Sequence, residues 1–188
     1  MEDYIPISML NDFIFCPYSI YLHNIYADTD TSMYQATPQT RGSLSHRTVD
    51  EKIASHRKED YMALNVYSDR YHLMGKIDLY RSDTQSLYER KYQLKKIFIG
   101  HIYQIWAQMF CLQEMGFPVS NLYFFEISTR KIIPVSMPTE KDISNFEIFL
   151  QSFREFDPTI PFLPNTNKCI HCIYCNLCDK ISTDNVYT

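Results

Sequence analysis

The chain has 188 residues, 22 acidic and 18 basic side chains, and a formal net charge of −4. That length allows one compact domain with at most a small appended lobe. The acidic balance excludes a globally basic binding surface, so a nucleic-acid role needs a local basic groove or a partner that holds the substrate. The first residues, Met1-Glu-Asp-Tyr-Ile, lack the basic start and apolar run of a signal peptide, and no stretch approaches the ~18 apolar residues of a membrane span. The expected location is therefore cytoplasmic, with no membrane partner.

Residues 5–23 are rich in apolar side chains at three- and four-residue spacing, which predicts a helix or a helical pair with Pro17 at its break or its second start. Residues 28–39 are polar and irregular, a loop. Residues 41–58 read as a polar helix carrying His46. The periodicity then changes, and residues 62–69, 73–80 and 87–93 read as three successive strands with turns at Asp69-Arg70 and Ser82-Asp83-Thr84. Residues 100–115 form a strong helix closed by Gly116 and Pro118. Two more strands follow at 122–128 and 132–135, and a last helix runs from Pro138-Thr139-Glu140 to about 156. With only four glycines and no low-complexity linker, the chain reads as a single layered α/β unit spanning 1–188.

Four of the six cysteines stand at two-residue gaps, Cys169, Cys172, Cys175 and Cys178, while Cys16 lies almost a chain length away. In a reducing compartment such crowding points to a soft metal centre, zinc or iron–sulfur, rather than to disulfides. Two ligand sets are open. The four clustered cysteines can bind among themselves, or Cys16 can replace Cys175 and the metal then joins the two ends of the chain. Cys111, inside Met109-Phe-Cys-Leu, reads as a small buried hydrophobe.

A second constellation lies between them. If the turn centres on Asp83 and Thr84, residues whose numbers sum to 167 face one another, and Asp78 stands opposite Glu89. Directly opposed Cβ atoms are about 4.5–5.5 Å apart, close enough for two carboxylates to share a hard cation. Lys91 shares the face of Glu89. Two carboxylates and a lysine on one face can bind Mg²⁺ or Mn²⁺, polarise a phosphate and activate water. Gln104, inside an otherwise apolar helix, needs a polar partner.

His46, Gly75-x-x-Asp78, Glu89-x-Lys91 and Gln104 follow the order and approximate spacing of the RecB-like branch of the PD-(D/E)xK nucleases. With Cys16-Pro17 before this core, and Cys169, Cys172 and Cys178 after it, the chain resembles the CRISPR-associated Cas-four family over residues 5–178. One departure is clear: the branch's Gln-x-x-x-Tyr motif reads Gln104-x-x-x-Gln108 here. The resemblance implies a restriction-endonuclease-like core (a central mixed sheet flanked by helices) and a four-iron–four-sulfur cluster on Cys16, Cys169, Cys172 and Cys178, with residues 1–25 and 157–180 as the cluster-bound lobe. It implies Mg or Mn held by Asp78, Glu89, His46 and the carbonyl of Arg90, with Lys91 and Gln104 completing the catalytic set. It further implies a DNase that trims single-stranded or splayed prespacer ends beside the integrase proteins Cas-one and Cas-two. The alternative is a DNA-binding adaptor that checks a sequence element in that complex and cuts little.

Overall fold

The computed structural model describes residues 4–26 and 58–181. The loop expected at 28–39 lies outside them, as does nearly all of the helix expected at 41–58. The N-terminal segment begins with a two-residue strand, β1 (Ile5–Pro6), where the spacing predicts helix. The helical pair follows as α1 (Met9–Phe15) and α2 (Tyr18–Tyr26). The break falls at Cys16, extended at φ −159° and ψ 115°, and Pro17 supplies no N–H to continue the first helix. The Ser19 hydroxyl fastens the corner by donating to the carbonyls of Cys16 (2.6 Å) and Asp12 (3.1 Å).

The first two expected strands are each broken in two, giving β2 (Asp60–Met62), β3 (Asn65–Ser68), β4 (Leu73–Lys76) and β5 (Leu79–Arg81). Ala63 sits at φ 53°, a left-handed kink, and the partner ribbon bends at the same level, around Ile77 and Asp78. The Ile77 N–H donates to Leu64 O at 3.0 Å, so the two bends stay joined. The expected single sheet is thus two: a three-stranded sheet in the order β1-β4-β3, and a five-stranded one. The five-stranded sheet runs β2-β5-β6-β7-β8, with β6 at Ser86–Lys91, β7 at Asn121–Glu126 and β8 at Lys131–Val135. Each sheet contains one parallel pair, β1 with β4 and β6 with β7. The β6–β7 pair needs a crossover, supplied by α3 (Ile99–Glu114).

The hairpin register matches the sequence arithmetic. Leu79 faces Tyr88, Tyr80 faces Leu87 and Arg81 faces Ser86, each pair summing to 167. Helix α3 turns Tyr103, Ile105, Trp106, Met109 and Leu112 into the core and ends at Gly116, whose φ of 89° suits only glycine. Helix α4 (Glu140–Arg154) opens on Thr139, whose hydroxyl accepts from the Asp142 N–H while the Asp142 carboxylate accepts from the Thr139 N–H. Phe146 of α4 is fully buried, with Tyr71, Tyr103 and Phe110 rings around it.

Beyond α4 a short helix α5 (Thr166–Cys169) and a 3₁₀ turn (Cys175–Leu177) fold back on α2. Tyr18, Leu22 and Tyr174 form a second small core, against which Cys16, Cys172, Cys178, Phe156 and Phe162 pack. Polar contacts join the same segments: Tyr18 donates to Asp179 at 2.7 Å, and His23 Nδ1 pairs with the Tyr174 hydroxyl at 3.0 Å. Among the described residues no helix is long and apolar enough to cross a membrane.

Candidate functional site

Asp78 lies at the bend between β4 and β5, and the adjoining hairpin carries Glu89, Arg90 and Lys91 on β6. Both acids are buried, Asp78 at 6% exposure and Glu89 at 1%. The Arg90 backbone N–H donates to Asp78 Oδ2 at 2.7 Å, so the register of the hairpin itself holds the first carboxylate. Lys91 Nζ stands 2.9 Å from Glu89 Oε1.

Helix α3 meets this strand with Gln104. Its Nε2 donates to Glu89 Oε1 at 2.7 Å, and its Oε1 accepts from Lys91 Nζ at 2.8 Å. The amide therefore bridges acid and ammonium and fixes both rotamers, the polar partners that its half-buried position calls for. One turn on, Gln108 Nε2 donates to the other oxygen, Glu89 Oε2, at 2.8 Å. Gln108 was visible in sequence only as a departure from a motif. Its spacing of four from Gln104 puts it on the same helix face, the signal that could have found it.

Asp78, Glu89, Gln104 and Gln108 line one cleft of about 390 Å³, with residues 6–8 as a further wall; Lys91 is not among its lining residues. Gly75 permits that wall to close in: a Cβ there would stand 3.1 Å from Ile7 Cβ and Cδ1. Burial pushes the Glu89 carboxyl above its ordinary range, and the Asp78 charge adds to that push. The Lys91 ammonium and the hydrogen bonds from Lys91 and Gln108 pull the other way without cancelling it. Oxygen donors gathered in a buried, acidic cleft are chemically suited to Mg²⁺ or Mn²⁺. His46 lies outside the described residues. Among the described residues no three His, Cys, Asp or Glu side chains form a ready-made metal cage.

A second cavity, about 170 Å³, is lined by Cys16, Cys169, Cys172 and Cys178 together with Tyr18, Leu22 and Phe162. Cys175 is not among its lining residues, though it is within electrostatic reach of Cys169 and Cys178. Burial raises the thiols of Cys169 and Cys178 and pushes Cys172 to about 11, and their mutual charges add to the effect. Four cysteines lining one cavity are the residue type that a soft metal centre takes as ligands. His171, between two of these cysteines, is exposed. Cys111 is fully buried in the main core, its thiol pushed to about 12.

The fold is similar to that of the crystal structure of SSO0001, with a TM-score of 0.61 over 97% of this chain and 89% of that one, at 14% sequence identity. No family model and no curated protein matches the chain.

Proposed function

We infer that the protein is a divalent-metal-dependent DNA nuclease of the RecB-like type, related to the Cas-four family. It would trim single-stranded or splayed prespacer ends beside the Cas-one and Cas-two integrase proteins. The observation that carries this reading is that Asp78, Glu89 and Gln104 line one cleft, with Gln104 bonded to both Glu89 and Lys91.

Asp78 and Glu89 would hold Mg²⁺ or Mn²⁺, with the Arg90 carbonyl and His46 as the further ligands that the resemblance assigns. Bound there, the cation would lower the pKa of a water and neutralise phosphate charge. An ammonium has three N–H donors; Lys91 commits one to Glu89 and one to Gln104. The third orients the attacking water or meets the charge that develops on the phosphoryl oxygen. Water adds to phosphorus, the P–O bond to the departing strand breaks, and that strand's oxygen takes up a proton. Gln104 keeps the ammonium fixed beside Glu89 throughout. The thiol cavity is assigned to a four-iron–four-sulfur cluster on Cys16, Cys169, Cys172 and Cys178, and its role is to tie the terminal segments together.

The test uses anaerobically purified protein with labelled single-stranded, duplex and splayed DNA, with and without Mn²⁺, wild type beside Lys91→Met. Metal-dependent cutting that disappears in the variant is the expected result. Wild-type protein that binds DNA but leaves it whole, alone and with the integrase present, would overturn the nuclease reading in favour of the adaptor. Gln108 in the tyrosine position is the observation on the adaptor's side.

A further inference from the structure

We propose that the side-chain carbonyl of Gln108 is the acceptor for a water carried by the divalent cation of the Asp78–Glu89 cleft, an inference that rests on the metal-site reading above. Gln104 and Gln108 look equivalent, since each donates to one oxygen of Glu89, at 2.7 and 2.8 Å. Their carbonyl ends differ. Gln104 Oε1 is taken by Lys91 at 2.8 Å. Gln108 Oε1 is buried and has no hydrogen-bond partner among the described residues, although the residue is only 1% exposed and lines the cleft.

The orientation of this amide is set by its neighbours. Nε2 faces Glu89 Oε2 at 2.8 Å and the Lys76 carbonyl at 3.4 Å, both of them acceptors. Turning the amide over would press Oε1 against a carboxylate and a carbonyl, so the oxygen is left for a donor that the cleft itself must bring. Buried acceptors are rarely left unsatisfied.

The hydrated cation supplies such a donor. Mg²⁺ and Mn²⁺ keep several waters when held by one or two carboxylates, and a water on the cation at Glu89 is positioned by the same carboxylate that Gln108 already grips. One amide would then hold the ligand through its N–H and the water through its C=O. A tyrosine in this position has a single hydroxyl for both tasks, whereas glutamine separates them onto two atoms.

The experiment is Mn²⁺ titration by calorimetry on the whole protein, without DNA. It compares wild type, Gln108→Met, Gln104→Met and Asp78→Asn, each checked for folding by its thermal transition. The two methionine variants separate the roles by size. Gln104→Met takes one N–H from Glu89 and the acceptor from Lys91 but leaves the Gln108 carbonyl in place, so it should weaken Mn²⁺ binding less than Gln108→Met does. Losing the water acceptor should weaken binding at least tenfold in Gln108→Met, the scale of outer-shell losses at metal sites. Gln108→Met binding like wild type, or both variants weakening equally, overturns the proposal while leaving the metal site intact. Asp78→Asn matching wild type overturns the metal-site reading itself. Should Gln108→Met fail to fold, a crystal structure of wild-type protein with Mn²⁺ decides instead: a metal-bound water within about 3.2 Å of Gln108 Oε1 is expected, and an oxygen that contacts protein atoms alone refutes it.

Discussion

Replacing Lys91 by methionine tests how much of the candidate site is also scaffold. The substitution keeps the unbranched shape of the side chain, one atom shorter, and removes its charge, leaving Glu89 at 1% side-chain exposure without its counter-ion. At 2.9 Å the gross attraction is about 5–6 kcal/mol for an effective dielectric of about 20, and desolvation consumes part of it. Breaking a buried pair costs roughly 3–5 kcal/mol, but Glu89 keeps its two amide donors, so about 3 kcal/mol is expected. At about 2–4 °C per kcal/mol for a chain of this size, the melting transition should fall by about 6–12 °C in EDTA. Glu89→Gln should cost less, about 1 kcal/mol, because Lys91 at 21% exposure still reaches water. The double variant should recover about 2 kcal/mol of the sum. Urea unfolding followed by circular dichroism, in EDTA, measures all three. A Lys91→Met change within about 0.5 kcal/mol of wild type, or strict additivity in the double variant, would refute the coupling. The result also governs the nuclease assay, since loss of cutting in Lys91→Met reports on chemistry only below the variant's own transition.

The thiol cavity predicts that Cys175→Ala retains the iron content and visible absorbance of the wild type, while alanine at Cys16, Cys169, Cys172 or Cys178 abolishes both. Retention by Cys16→Ala with loss in Cys175→Ala would establish the local ligand set instead. Phe146→Ala should destabilise by about 3–5 kcal/mol, read by urea unfolding, since a fully buried ring leaves a cavity among Tyr71, Tyr103 and Phe110. Burial, with the Lys91 charge adding, depresses His101 from 6.5 to about 4. Its neutral Nδ1 accepts the Phe98 N–H at the start of α3, at 3.3 Å. The unfolded chain takes up this proton below about pH 6.5 and the folded chain does not, so stability should fall from pH 6.5 toward 4. After discounting for the ring's partial exposure the loss is on the order of 1 kcal/mol. His101→Leu should flatten that part of the curve, measured by urea unfolding at a series of pH values.

The hairpin register from Leu79–Tyr88 to Arg81–Ser86 was legible because a tight turn at Asp83-Thr84 fixes it, and Asp78 lies at the bend one residue beyond that ladder. The kink at Ala63 was not. Nothing in residues 62–69 demands a left-handed alanine; the bend falls where the ribbon divides between the two sheets, β3 and β4 joining β1 while β2 and β5 join β6. Strand β1 is two residues long, too short to carry any periodicity of its own. Gln108 shows the same limit at the site. Its helical face follows from counting, but its contact with Glu89 depends on how closely α3 stands over β6, which is a property of the packed core. The gathering of Cys16 with the C-terminal thiols likewise depends on a corner at Pro17 that local spacing could place but not aim.

The wall of the cleft at residues 6–8 is made by the same short stretch of chain that leads through α1 to Cys16. Seven helical residues span only about 10 Å, so the carboxylate cleft and the thiol cavity share one lever arm. An affinity tag or a truncation that disturbs β1 pulls on both ends of that lever together. Handles for immobilisation or labelling therefore belong elsewhere, for instance on the exposed turn at Asp83 and Thr84.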